Sequence, residues 1–157
     1  LYIIAFALLV GLDQYVKHIA SAYLQYVNSI PFIPEVIDFV YVENRGAAFG
    51  IFTDSKWFLI GITSVFMIAI LVYLLSIKNK KDKKLLIWSL VLILSGGVGN
   101  LIDRIRLREV IDYIKFEPIE FPVFNFADIC VVIGGILFCI NVLILEEKRK
   151  KVGKNNG

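Results

Sequence analysis

Three stretches of this chain carry no charged residue over lengths that match a lipid bilayer. They run from Trp57 to Ile77, Leu85 to Ile102 and Ile129 to Leu145, which is 21, 18 and 17 residues. A helix needs about 20 residues, within a range of roughly 17 to 25, to cross a hydrocarbon core. Each stretch therefore reads as a span. A fourth run, Leu1 to Leu12, is wholly apolar and continues through Asp13, Lys17 and His18 towards Tyr23. It is read as a span and not as a cleaved secretory signal, because Asp13 and Lys17 are foreign to such a segment. Composition agrees: 58% of residues are hydrophobic and 20% charged, against about 45–50% and about 25% in water-soluble domains. The expectation is an all-α membrane protein of one domain. Its four transmembrane helices fall at approximately 1–22, 57–77, 85–103 and 126–145, with a small extracellular β-structure and loop region above the membrane.

The placement of charge orients these spans. Lys78, Lys80, Lys81, Lys83 and Lys84 crowd the link 78–84, and Lys148, Arg149, Lys150, Lys151 and Lys154 fill the tail 146–157. The stretch from Ser21 to Ser55, between the first two spans, holds Glu35, Asp38, Glu43 and Asp54 against a single Arg45. Lysine and arginine near span ends stay on the cytoplasmic side. The link, the tail and both termini are thus expected in the cytoplasm, and segments 23–56 and 104–125 on the outer face. Beside membrane spans these clusters are topology signals, and no nucleic-acid partner is expected.

Polar residues of chemical interest gather at the outer segments. Val36 to Val42 reads Val-Ile-Asp-Phe-Val-Tyr-Val, rich in β-branched and aromatic residues, and Asn44-Arg45-Gly46 supplies turn chemistry. A short strand or hairpin is expected there, while the second outer segment, holding Pro118 and Pro122, reads as a structured loop. Asn100, Asp103 and Arg104 share one side at the end of the third span. Just upstream, Gly96, Gly97 and Gly99 remove side-chain bulk, which permits close approach by another helix or by a ligand. Asp112 stands alone in the apolar Val110-Ile111-Asp112-Tyr113-Ile114, and Asp128 lies at the threshold of the fourth span in Phe124-Asn125-Phe126-Ala127-Asp128. Asn125 and Asp128 also suit helix capping. Ionisable groups at membrane depth are costly, however, and are functional candidates by default.

The chemistry open to such residues is narrow. Cys130 and Cys139 fall on opposite faces of one helix, too far apart for a disulfide, and neither has an activating partner. The only histidine, His18, belongs to the first span, and no Cys/His spacing suggests a metal site. No cofactor or metal is expected. The Ser55-Lys56 and Lys17-Ser21 pairs make a serine–lysine hydrolase a competing scheme, in poor sequence contexts. What remains is a pair of carboxylates sharing one proton, the charged member taking a proton from water and the neutral one hydrogen-bonding a carbonyl. On residues alone, Asp103 rivals Asp112 as one member.

Five motifs, taken in order, resemble lipoprotein signal peptidase, the type II signal peptidase family of bacteria. They are Asp13-Gln14-Tyr15-Val16-Lys17, Asn44-Arg45-Gly46-Ala47-Ala48-Phe49-Gly50, Gly96 to Arg104, Val110-Ile111-Asp112 and Phe124 to Asp128. The resemblance covers nearly the whole chain. It implies a membrane aspartic endopeptidase of the bacterial inner membrane that cuts prolipoproteins before a diacylglyceryl-modified cysteine, near the outer face. It implies Asp112 and Asp128 as the catalytic dyad, with Asn44, Asn100, Arg104 and Asn125 lining the site. Asn125 would orient the neighbouring carboxylate, and the others would hold substrate backbone or lipid-linked groups. Asp13, Lys17, Asp103, Gly97 and Gly99 become structural support. Expected partners are prolipoprotein substrates, membrane lipids and globomycin-like cyclic peptide inhibitors, with the protein a monomer. A small proton-coupled carrier using Asp112 and Asp128 as a relay is the alternative; carriers place such groups near the midplane of repeated halves, and no repeat is visible here.

Overall fold

The computed structural model describes residues 1–46, 56–78 and 83–155. In chain order they form helix α1 (Tyr2–Leu24), strands β1 (Ile30–Ile33) and β2 (Ile37–Asn44), helices α2 (Lys56–Ser76) and α3 (Lys84–Arg106), strand β3 (Val110–Phe116) and helix α4 (Phe126–Asn155). Ala47, Ala48, Phe49 and Gly50 of the second motif, together with Asp54, Ser55, Lys80 and Lys81, lie outside the described residues. All four helices are long and apolar enough to cross a membrane. Residues 146–155 of the expected tail continue α4 beyond its apolar stretch, which ends at Leu145.

α3 is the central helix. Within its apolar window 61% of residues are buried, against 17% in α1, 6% in α2 and 11% in α4, so the latter three present most of their surface outward. This suits a protein whose solvent is lipid, since apolar side chains facing hydrocarbon need no cover. α3 packs most extensively on α4. Glycines on both helices permit the approach: a Cβ on Gly96 would run into the Ala127 carbonyl, and one on Gly134 into Ser89 O and Ile93. Two apolar clusters anchor opposite ends of the bundle. Ile77, Leu86, Ile87, Leu90 and Val91 hold one, with Tyr2 and Phe6 against them. Ala20, Leu24, Ile111 and Tyr113 join α1 to the sheet at the other.

Among the described residues the strands form one antiparallel sheet in the order β1-β2-β3. β1 and β2 join through a turn closed by Val36 N–H on Ile33 O at 3.0 Å. Pro34 sits at its second position and Glu35, with φ 61°, at its third, the type II pattern. Between β2 and β3 the register runs Phe39 opposite Ile114, then Val42 opposite Asp112 and Asn44 opposite Val110. The extra residue in β2 is a bulge. It places Phe39 and Asn44, an odd number of positions apart, on the same face as Ile114 and Asp112.

β3 corrects one expectation: the second outer segment, read as a loop, contributes a strand over Val110–Phe116. Val110, Ile111, Asp112 and Tyr113 are all buried in succession, because one face of the strand meets α1 and the other the site. With both faces covered, the alternation that advertises a strand is missing. Beyond the turn containing Pro118, Phe124 returns to the free edge of β3, exchanging hydrogen bonds with Ile114 of 2.8 and 3.0 Å. This return sets Asn125 and the start of α4 beside Asp112.

Candidate active site

The first turn of α4 organises the site. Its backbone N–H groups have no helical partner, and side chains from three elements take them. Asn125 Oδ1 accepts from Asp128 N–H at 2.9 Å, and Asp128 Oδ2 accepts in return from Asn125 N–H at 3.0 Å, a reciprocal capping box. Tyr113 Oη of β3 accepts from Phe126 N–H at 3.2 Å, and Asp13 Oδ1 of α1 from Ala127 N–H at 3.1 Å. The capping reading of Asn125 and Asp128 therefore holds.

The same residues bring the two candidate carboxylates together. Asn125 Nδ2 donates to Asp112 Oδ1 at 2.6 Å, to Asn100 Oδ1 at 3.1 Å and to Ile111 O at 3.3 Å. Asn44 Nδ2 donates to Asp112 Oδ2 at 2.8 Å, and Asn100 Nδ2 to Asp128 Oδ1 at 2.8 Å. Each carboxylate thus has both oxygens engaged, and Asn125 bridges the pair. Asn44 and Asn100 direct their amide N–H groups to the carboxylates themselves. Asp112 and Asp128 line one cavity of about 570 Å³, together with Asn44, Asn100, Arg104 and Gly97. Apolar side chains complete it, among them Phe121, Phe124, Ile129 and Val132. Arg104 reaches across its rim, Nη2 donating to Gly46 O at a long 3.4 Å.

Asp112 is only 2% exposed. Burial pushes its carboxyl up to about 6; the hydrogen bond from Asn44 opposes this, the charge of Asp128 adds to it, and Asn125 and Lys17 oppose it further. A carboxyl group able to hold a proton near neutrality beside a second carboxylate, in a cavity with apolar walls, is equipped for general acid–base hydrolysis.

A family model described as signal peptidase (SPase) II matches residues 5–144. The chain belongs to the signal peptidase II family. As a member it is a bacterial membrane peptidase, similar along nearly its whole length to curated relatives. It is 41% identical over 153 residues to a lipoprotein signal peptidase of Clostridioides difficile strain 630, covering 96% of this chain and 99% of that protein. With the lipoprotein signal peptidase of Clostridium tetani it shares 44% identity over 144 residues, 90% of this chain and 91% of that one. A solved bacterial membrane enzyme, determined by the in meso method at 2.3 Å resolution, superposes with a TM-score of 0.83 at 31% identity, over 90% of this chain and 87% of that chain.

In this signal peptidase II family member, Asp103 stands apart from Asp112 and Asp128. Its Oδ2 meets Lys17 Nζ at 2.8 Å, and its Oδ1 accepts from Gln14 Nε2 at 2.9 Å. Lys17 Nζ also meets Asp13 Oδ2 at 3.0 Å, so the three form a buried ion cluster between α1 and α3. Of the glycines, Gly97 borders the cavity and faces Met67 of α2, whereas Gly99 faces Asp13 and Gly96 faces α4. Gln14 and Tyr113 carry structural hydrogen bonds that sequence reasoning left unassigned. Gln14 could have been found by its place between Asp13 and Lys17, but nothing in the sequence singles out Tyr113.

Proposed function

We propose that this protein is an aspartic endopeptidase that removes the signal peptide from bacterial prolipoproteins, hydrolysing the peptide bond immediately before the diacylglyceryl-modified cysteine. The observation that carries this reading is the meeting of Asp112 and Asp128 in one cavity, bridged by Asn125. Asp112, whose burial favours the protonated form, donates to the scissile carbonyl oxygen. Asp128 takes a proton from water as the hydroxyl oxygen bonds to the carbonyl carbon. The tetrahedral diol then collapses: the C–N bond breaks, Asp128 returns its proton to the leaving nitrogen, and Asp112 regains its own from the diol hydroxyl. The dyad ends as it began.

The substrate suits the place. Acyl chains hold the modified cysteine in the outer leaflet, each buried methylene contributing about 0.8 kcal/mol, and so present the bond at a constant depth. The apolar wall from Ile129 to Ile133 of α4 offers a surface for the lipid and the small residues before it. A globomycin-like cyclic peptide would compete for the same cavity. The positive-inside rule puts this end of the bundle at the outer face of the inner membrane.

Purified full-length protein in detergent, incubated with a diacylglyceryl-modified prolipoprotein peptide, should cleave it at the bond before the lipidated cysteine. Asp112→Asn and Asp128→Asn should each lower kcat by at least about a thousandfold, as loss of a member of a catalytic unit does, while the protein stays folded. Turnover retained in either variant removes that residue from the dyad.

A further inference from the structure

Lys17 has no place in the scheme above, yet its ammonium stands at the root of the network that shapes the site. It is 3% exposed and directs its N–H groups to Asp13 Oδ2 at 3.0 Å, Asp103 Oδ2 at 2.8 Å and Asn100 Oδ1 at 2.8 Å. The two carboxylates neutralise it. The third acceptor is different, because Asn100 is an amide whose other end donates to Asp128 Oδ1 at 2.8 Å.

An amide can be turned over, and its surroundings decide which way it points. Reversed, Asn100 would set its NH2 group against the ammonium of Lys17 and the NH2 of Asn125, and its oxygen against the carboxylate of Asp128. All three contacts would be repulsive. Asn125 is itself an amide, held by the Asp128 backbone N–H on its oxygen. Lys17 is the partner that can only donate, whatever its rotation, and so it gives the network its direction. Its own position is secured from three sides. Asp13 is tied to Ala127 N–H of α4, and Asp103 to Gln14 of α1 and, at 3.4 Å, to Ile111 N–H of β3.

Resting on the peptidase reading, we infer that Lys17 is a positioning residue: its ammonium holds the Asn100 amide in the one orientation that sends an N–H to Asp128, and thereby aims the carboxylate that activates water. A purely structural role, neutralising Asp13 and Asp103, would act on stability and leave Asn100 out of account.

A double-mutant cycle on the full-length protein separates the two. Lys17→Met should lower kcat by about tenfold or more with KM within about twofold, the signature of an interaction expressed in the transition state. Asn100→Ala should lower it at least as far, and the double variant should fall no further than Asn100→Ala, within about twofold, because Lys17 acts through that residue. Losses that multiply overturn the inference. Where Lys17→Met alone fails to fold, the cycle is run in the Asp13→Asn/Asp103→Asn background, where no carboxylate of the cluster is left unpaired. A second reading needs no turnover. The side-chain amide resonances of Asn100 in 15N-asparagine-labelled protein, assigned by their loss in Asn100→Ala, should move in Lys17→Met while those of Asn44 stay. Unmoved Asn100 signals overturn the inference, whereas failure of the parent protein to cleave the lipidated peptide rejects the peptidase reading instead.

Discussion

The surroundings of Asp112 make its protonation depend on pH close to neutrality. Its carboxyl is raised from 3.8 to about 6, chiefly by burial, so the folded protein holds this proton more tightly than the unfolded chain does. The stabilisation that follows is fully present below 3.8 and is lost as pH rises through about 6. Because the proposed mechanism needs the same proton, kcat/KM should fall over the same interval, its upper limb titrating near 6 in the free enzyme. Measured with a lipidated peptide at constant ionic strength, a profile still rising above that pH would show that Asp112 works in its charged form. This residue was legible in the sequence because one carboxylate in the apolar Val110–Ile114 has no solubilising purpose. On residues alone Asp103 rivalled it, and the family resemblance chose between them; the fold adds that Lys17 and Gln14 engage Asp103.

The pairing of α3 with α4 sets how well the site is assembled. Gly96 faces the Ala127 carbonyl, and Asp128 follows one residue later. Gly96→Ala should push the first turn of α4 away from α3, lengthening the Asn100–Asp128 hydrogen bond. A stability loss of about 1–3 kcal/mol, the usual range for overpacking, should accompany a fall in kcat of at least about tenfold, as misplaced catalytic groups give. Gly135→Ala, where an added Cβ meets nothing within 4 Å, should leave both unchanged. Parallel thermal melts and single-turnover assays check this, and equal effects of the two substitutions would refute it. Gly134 and Gly135 are neighbours of one type in the sequence, and only the packing of α4 on Ser89 and Ile93 tells them apart. The helices were readable because the bilayer demands long charge-free runs; β3 was not, because coverage on both faces removed its alternation.

At the scale of the molecule, the sheet with Asp112 and Asp128 occupies one end of the bundle and the cluster around Ile77 and Leu86 the other. With Cys130 and Cys139 replaced, a membrane-impermeant thiol reagent applied to intact spheroplasts should label Lys115→Cys, whose parent side chain is exposed on β3. Lys78→Cys should react only after permeabilisation, and the reverse pattern would invert the topology. The capping of α4 reaches further than packing. Its opening N–H groups are received by Asp13 from the beginning of the chain, Tyr113 from the sheet and Asn125 from its own threshold. Because one of those acceptors lies 114 positions upstream of the N–H group it receives, Asp128 takes its place beside Asp112 only once distant parts of the chain have met.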